Sequence, residues 1–151
     1  MQPLTPFEQQ VLEAALQGPQ PVLAALRSQI AHAKVSARTH TGVGSYIDFS
    51  MPQSVPRVSP TEMVFGDVDV QVEGVSAEVS TILYVVSGHL HFLEFAALSG
   101  EWPKEPVITK IGYLRSEKVG PDDYKAVQVN ERDPETLERS LAGPAVKKKK
   151  V

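Results

Sequence analysis

The 151-residue sequence contains no cysteine. This absence excludes disulfides, thiol nucleophiles and thiolate metal ligands together, and it is typical of proteins from a reducing compartment. The sequence also lacks an apolar run near the length of about 18 residues that a membrane-spanning helix needs. Its first ten residues have neither the basic nor the apolar region of a secretory signal. We therefore expect a cytoplasmic protein that does not enter a membrane.

The sequence also lacks a large excess of charge of either sign. The formal net charge of −3 at pH 7 gives no strong attraction to nucleic acid or to an anionic membrane. The exception is a run of four lysines, Lys147 to Lys150, which attracts acidic surfaces by charge alone. We interpret this run as a solvated tail. What remains, 42% hydrophobic and 22% charged residues in a chain of this length, is typical of one globular domain.

The first 33 residues have the pattern of two amphipathic helices. The sequence TPFE at positions 5–8 predicts a helix start with a capping box and a proline in the first turn. Gly18-Pro19 ends this helix, and a second helix follows over about residues 21–33. Neither helix would be stable alone, so each needs a surface against which to bury its apolar face.

After residue 34 the apolar residues alternate, as they do in strands. The sequence GDVDVQVEG, residues 66–74, places its valines on one face and Asp67, Asp69 and Glu73 on the other, which predicts a strand with one wet face. The sequence TILYVVSGHLHFLEF, residues 81–95, predicts a hairpin whose two-residue turn is Ser87-Gly88. The sequence PVITKIGYL, residues 106–114, predicts a last strand.

These elements predict an α+β fold in which two N-terminal helices pack on one face of a mostly antiparallel sheet. Residues 1–115 would form this single domain. Residues 116–151 are mostly polar and charged, and we expect them to form a C-terminal tail with a short helix from Asp133 to about residue 141.

His89 and His91 are the first candidate site. With one residue between them, both imidazoles lie on one side of a strand of the predicted hairpin, roughly 7 Å apart. Folding at Ser87-Gly88 pairs His91 with Tyr84. This spacing suits two ligands of a zinc ion, with His40 or Asp48 as candidates for a third. The alternative is two half-exposed histidines beside a turn.

Glu94 is a candidate functional carboxylate. The same pairing places it on the core-facing side of the hairpin, where a bare carboxylate would be expensive to bury. It would act there as a general base or anchoring acid. The alternative is a structural carboxylate that is paired with backbone N–H groups or with an arginine such as Arg38.

Two further features suggest a surface for a partner. The acidic strand face of Asp67, Asp69 and Glu73 would favour fast association with a basic partner, although an acidic wet face is also common. Trp102 lies in a proline-bounded loop, and tryptophan is enriched among interface anchors. Capping of the core is the other interpretation of Trp102.

Four short segments resemble those of a family of small, largely uncharacterised bacterial proteins. They are TGVG at positions 41–44, GDV at 66–68, LE at 93–94 and WP at 102–103. The resemblance covers roughly residues 4–115 and does not include the histidines. It implies a bacterial origin and a compact α+β domain.

No motif of a nucleophilic triad or a zinc protease occurs in the sequence. We expect a non-catalytic protein-binding module that uses no cofactor, and an immunity-type protein that neutralises a partner toxin would be one such module. Two alternatives stay open. One is a metal-dependent or acid–base enzyme built on His89, His91 and Glu94. The other is a structural subunit that forms a homo-oligomer through the hairpin face or the edge of the strand at 106–114.

Overall fold

The computed structural model describes residues 1–143, which form a mixed α+β fold in which strands dominate. The lysine run at 147–150 lies outside the described residues. Among the residues described, no helix is long and apolar enough to cross a membrane. The elements in chain order are α1 (Pro6–Ala15), α2 (Pro21–Ile30), β1 (Lys34–His40), β2 (Gly44–Ser50), β3 (Met63–Phe65), β4 (Val68–Val72), β5 (Val79–Val86), β6 (His89–Ala97), β7 (Ile108–Lys118), β8 (Tyr124–Val129) and α3 (Pro134–Leu141).

The eight strands form one antiparallel sheet in the order β1-β2-β6-β5-β4-β7-β8, with β3 paired to β5. Strands β1 and β8 therefore lie at the two edges of the sheet. The prediction that the strand at 106–114 offers a free edge is wrong, because β7 lies between β4 and β8. Strand β8 was not predicted. It is exposed along most of its length, so its sequence lacks the alternation of apolar and polar residues that burial of one face imposes.

Local sequence signals explain where α1 begins. The predicted capping box is confirmed: the Glu8 N–H donates to the Thr5 hydroxyl at 3.2 Å, and the Thr5 N–H donates to the Glu8 carboxylate at 2.9 Å. The apolar side chains of α1, α2 and the sheet form one hydrophobic cluster. Within it the rings of Phe7 and Phe95 meet edge to face, with their centroids 4.8 Å apart.

The predicted turn between β5 and β6 is also confirmed. Ser87 and Gly88 have φ values of 53° and 78°, and positive values at both central residues define the type I′ turn that joins right-twisted strands. The buried side chain of Gln29 in α2 holds this turn, since its amide nitrogen donates to the Gly88 carbonyl at 3.0 Å and its oxygen accepts from the Leu90 N–H at 2.9 Å.

The register of the β5–β6 hairpin agrees with the prediction only next to the turn. The pairs there are Val86 with His89 and Val85 with Leu90. A β-bulge follows, so that Tyr84 pairs with Phe92 and not with His91.

The extra residue in the bulge exchanges the two faces of the rest of β6. Leu93 is fully buried, and Glu94 is half-buried on the opposite face. The prediction that Glu94 faces the core is therefore wrong, because the alternation was counted through the bulge.

The C-terminal segment differs from the tail that the sequence suggested. The expected boundary at residue 115 falls inside β7, and β8 pairs with β7 from Tyr124 to Val129. The short helix is present as α3, with Asp133 as its N-cap. The prediction was wrong because a two-stranded ribbon with little burial has the same polar, charged composition as an unstructured tail.

The β1–β2 turn explains one glycine of the TGVG segment. A Cβ at Gly44 would overlap the Phe95 backbone oxygen and lie 2.6 Å from the Ala96 Cα, both of which belong to the neighbouring strand β6. Only glycine therefore lets β2 and β6 approach here.

We predict that Gly44→Ala lowers the free energy of unfolding by about 3 kcal/mol, because backbone atoms of a central strand cannot move aside. Urea denaturation followed by circular dichroism would measure this loss. Gly66→Ala is the matched control, since its Cβ would meet only the Thr81 oxygen at 3.9 Å. Equal midpoints for the two variants would contradict the prediction.

Candidate functional site

The bulge separates the two histidines of the metal hypothesis. His89 is buried, and its Nε2 donates to the Val55 carbonyl oxygen at 2.8 Å, which fixes the proton on that nitrogen. His91 is exposed. Among residues 1–143, no three His, Cys, Asp or Glu side chains are grouped so that they could hold a metal ion.

Glu94 and Trp102 do not lie together in the structure. Glu94 stands across from Tyr46 and Ile82 on the half-exposed face of the sheet. Its suggested partner Arg38 instead forms a salt bridge with Glu8 of α1, with an N–O distance of 2.8 Å. Trp102 is half-buried over Phe95, with the ring centroids 5.4 Å apart, so it caps one end of the hydrophobic cluster.

Asp67 does not lie on the wet face where the sequence placed it. It is 3% exposed, and both of its carboxylate oxygens accept from the guanidinium group of Arg132 at 2.8 Å. This two-pronged geometry is the strongest form of a carboxylate–arginine pair. Asp67 is therefore bound inside the protein and is not free to bind a partner.

Arg132 has further contacts that no pattern in the sequence predicted. Its remaining nitrogen donates to the Gln17 carbonyl oxygen just beyond α1 at 2.8 Å. The guanidinium carbon lies 5.7 Å from the ring centre of Phe65 and 5.3 Å from that of Tyr113, within the range of cation–π attraction. The one available signal was an arginine immediately before a helix N-cap, which is common and therefore uninformative.

Asp69 is half-buried, and the acid beside it is Glu78 and not Asp67 or Glu73. It lines a hollow of about 120 Å³ together with Glu78, while Glu73 is exposed outside this hollow. Partial burial, followed by the charge of Glu78, raises the pKa of Asp69, and Lys110 opposes this rise. The hollow therefore has two carboxylates over an apolar floor that includes Leu114 and Ala126 of the β7–β8 ribbon.

The outer part of the β7–β8 ribbon, residues 115–126, projects with little burial on either face. Arg115 to Lys118 of β7 and Tyr124 to Ala126 of β8 are exposed, and Tyr124 keeps 67% of its surface. An isolated two-stranded ribbon is only marginally stable in water. This part of the fold therefore gains little from its own packing.

The direction of the backbone groups along β8 follows from one hydrogen bond. The Leu114 N–H donates to the Asp67 carbonyl at 2.7 Å, so it points towards β4 and away from β8. Leu114 and Gln128 are thus a non-hydrogen-bonded pair, in which the amide of Gln128 points outward. By alternation, the N–H and C=O groups of Tyr124, Ala126 and Gln128 all face the free edge.

The other edge of the sheet is better protected. Gln2 forms a β-bridge with Val35 of β1, and Arg38 of the same strand binds the side chain of Glu8. Charged residues and added backbone pairing are the usual means by which edge strands avoid association. Strand β8 has a single charged residue, Lys125, and no described segment beyond it in the sheet order.

Comparison of the chain with protein-family models, with curated proteins and with solved structures found no match. We therefore infer function from the geometry of β8 and the hollow beside it.

We predict that Arg132→Met lowers the free energy of unfolding by about 3–5 kcal/mol, because it leaves the Asp67 carboxylate buried without its partner. Urea denaturation of the purified variant would measure the loss. Arg139→Met in α3 is the matched control, since that arginine is exposed and should leave the midpoint nearly unchanged. Adding Asp67→Asn to Arg132→Met should restore part of the stability. A double variant no more stable than Arg132→Met would contradict this explanation.

Proposed function

We propose that the protein is a non-catalytic protein-binding module that takes up an extended, basic segment of a partner protein along the outer edge of β8. In this proposal, α1 and α2 cover one face of the sheet. The partner then reaches the edge of β8 and the other face. An immunity-type protein with a basic toxin as its partner would be one such module.

The observation that carries the proposal is the free edge of β8 beside the hollow of Asp69 and Glu78. Strand addition uses the outward backbone groups for affinity and a neighbouring pocket for specificity. Ala126 and Gln128 supply outward amides and also line the hollow, so a strand added here would have a side chain within reach of it.

The charge of the hollow selects the side chain of the partner. Two carboxylates above an apolar floor suit lysine or arginine, whose aliphatic stem packs on apolar surface while the cationic group meets the acids. Partial burial, and after it the negative charge of Glu78, raises the pKa of Asp69. A bound cation would relieve this repulsion.

We predict binding of a lysine-containing strand to β8, tested with three acetylated and amidated peptides, TVKVTV, TVAVTV and TVEVTV. The lysine peptide should bind about tenfold more tightly than the glutamate peptide, since exposed charge contacts contribute roughly 0.2–1 kcal/mol each. Amide hydrogen exchange should slow at Tyr124, Ala126 and Gln128 when the lysine peptide is bound.

Two variants of one residue provide the control for this experiment. Ala126→Pro removes an outward N–H and leaves the bonds between β7 and β8 intact, because proline is tolerated at the outer side of an edge strand. It should abolish binding of all three peptides. Ala126→Thr keeps the N–H, so it should retain binding of all three peptides. Equal binding by the two variants, or no preference for the lysine peptide, would overturn the proposal.

We also predict that the preference for the lysine peptide weakens in mild acid. The raised pKa means that Asp69 takes up its proton at a higher pH than the usual value of 3.8, and the protonated acid no longer attracts lysine. Dissociation constants of the lysine and alanine peptides, measured from neutral pH downward, should converge above pH 3.8. In Asp69→Asn the ratio of the two constants should be smaller at neutral pH and vary less with pH. A ratio that stays constant down to pH 3.8 in the unaltered protein would contradict the role of Asp69.

A further inference from the structure

A second and larger hollow lies next to the first, between β3, the ribbon and α3. Its volume is about 420 Å³, within the range of small-molecule sites. Thr136, Arg139, Ser140 and Gly143 line it from α3 and the residues after it, at the spacing of one helical face. Its other lining residues are Val64, Gly66, Asp67, Leu114, Arg115, Ser116 and Ala126.

Two arginines in this hollow have no ion-pair partner among the described residues. The salt bridges within residues 1–143 are Arg38 with Glu8 and Arg132 with Asp67, so no described carboxylate lies within 4.0 Å of Arg115 or Arg139. The one acid that lines the hollow, Asp67, is already neutralised by Arg132. The hollow therefore offers two guanidinium groups that are in no ion pair with a described residue, of which that of Arg139 donates a hydrogen bond to the Thr136 hydroxyl at 3.4 Å.

Asp133 is an acid close to both arginines, and its carboxylate is occupied. It accepts from the Thr136 N–H at 3.1 Å and from the Thr136 hydroxyl at 2.8 Å, as the N-cap of α3. These hydrogen bonds, and then the charges of Arg115 and Arg139, hold the pKa of Asp133 below its usual value. Arg115 and Arg139 both line the hollow, so their positive charges act in the same region.

We propose that this hollow binds the phosphate group of a small phosphate monoester. Arginine forks bind phosphate oxygens in pairs, and two arginines together match the double charge of a monoester better than the single charge of a carboxylate. The hydroxyl group of Ser116 adds a donor at the same space. Leu114, Ala126 and the 40%-exposed Val64 give an apolar surface for the organic part of the ligand.

This site lies next to the partner surface on β8 and differs from it in charge. The two hollows share Gly66, Leu114 and Ala126, but one has carboxylates and the other arginines. A lysine strand would be repelled by the arginines, and a phosphate would be repelled by Asp69 and Glu78. A phosphate monoester would therefore be expected to bind even if TVKVTV, TVAVTV and TVEVTV did not bind to β8.

The test uses phenyl phosphate, inorganic phosphate and phenylacetate as probes in a phosphate-free buffer of low salt. Calorimetric titration of the full chain should show that phenyl phosphate binds at least tenfold more tightly than phenylacetate, which has the same ring and a single charge. Inorganic phosphate should bind more weakly than phenyl phosphate, because it cannot use the apolar surface.

Three variants separate a built site from general charge attraction. Arg115→Gln and Arg139→Gln should each weaken phenyl phosphate binding by about tenfold, as expected for the loss of a charge-assisted hydrogen bond. Lys34→Gln, an exposed residue at the start of β1, changes the net charge equally and should leave binding unchanged. Far-UV circular dichroism would confirm that all three are folded.

Three outcomes would overturn the proposal. The first is no binding of phenyl phosphate at millimolar concentrations. The second is equal binding of phenyl phosphate and phenylacetate. The third is a loss of affinity in Lys34→Gln as large as that in Arg139→Gln, which would indicate attraction to the net charge alone.

Discussion

The salt bridge between Arg132 and Asp67 is the interaction on which the C-terminal third of the structure depends. Arg132 precedes the N-cap of α3, Asp67 precedes β4, and the Gln17 carbonyl lies just after α1. A guanidinium group near the C-terminal end of a helix is also favoured by the partial negative charge of the carbonyls there. One side chain thus joins three segments that are far apart in the sequence.

This junction determines how the β7–β8 ribbon is held. Tyr113 of β7 lies against the Arg132 guanidinium group and donates its hydroxyl proton to the Ala14 carbonyl at 2.8 Å. The base of the ribbon is therefore bound to α1, whereas its outer part has few contacts on either face. A ribbon fixed at its base and free at its edge presents its outward amides at a defined position, which lowers the entropic cost of adding a strand.

Local signals in the sequence were enough to predict the elements that depend on neighbours in the chain. The capping box of Thr5 and Glu8, the turn at Ser87 and Gly88, and the alternating strand β4 were all predicted correctly. The bulge in β6 was not, because it serves contacts across the fold. It lets Leu90 and Leu93, three residues apart, both lie in the hydrophobic cluster, opposite Val85 and Leu83 of β5. Strict alternation would have exposed one of them.

The same distinction between local and distant contacts applies to the candidate sites. Asp69 was predicted from alternation along β4, but its neighbour Glu78 comes from the chain just before β5. Asp67 belongs to the same alternating series, yet a residue 65 positions later removes it from the surface. Whether an acid in a strand is available to a partner is therefore decided by the distant arginine and not by the strand pattern. The difference in charge between the two hollows has the same origin, because α3 brings Arg139 to one hollow while β4 and Glu78 bring the acids to the other.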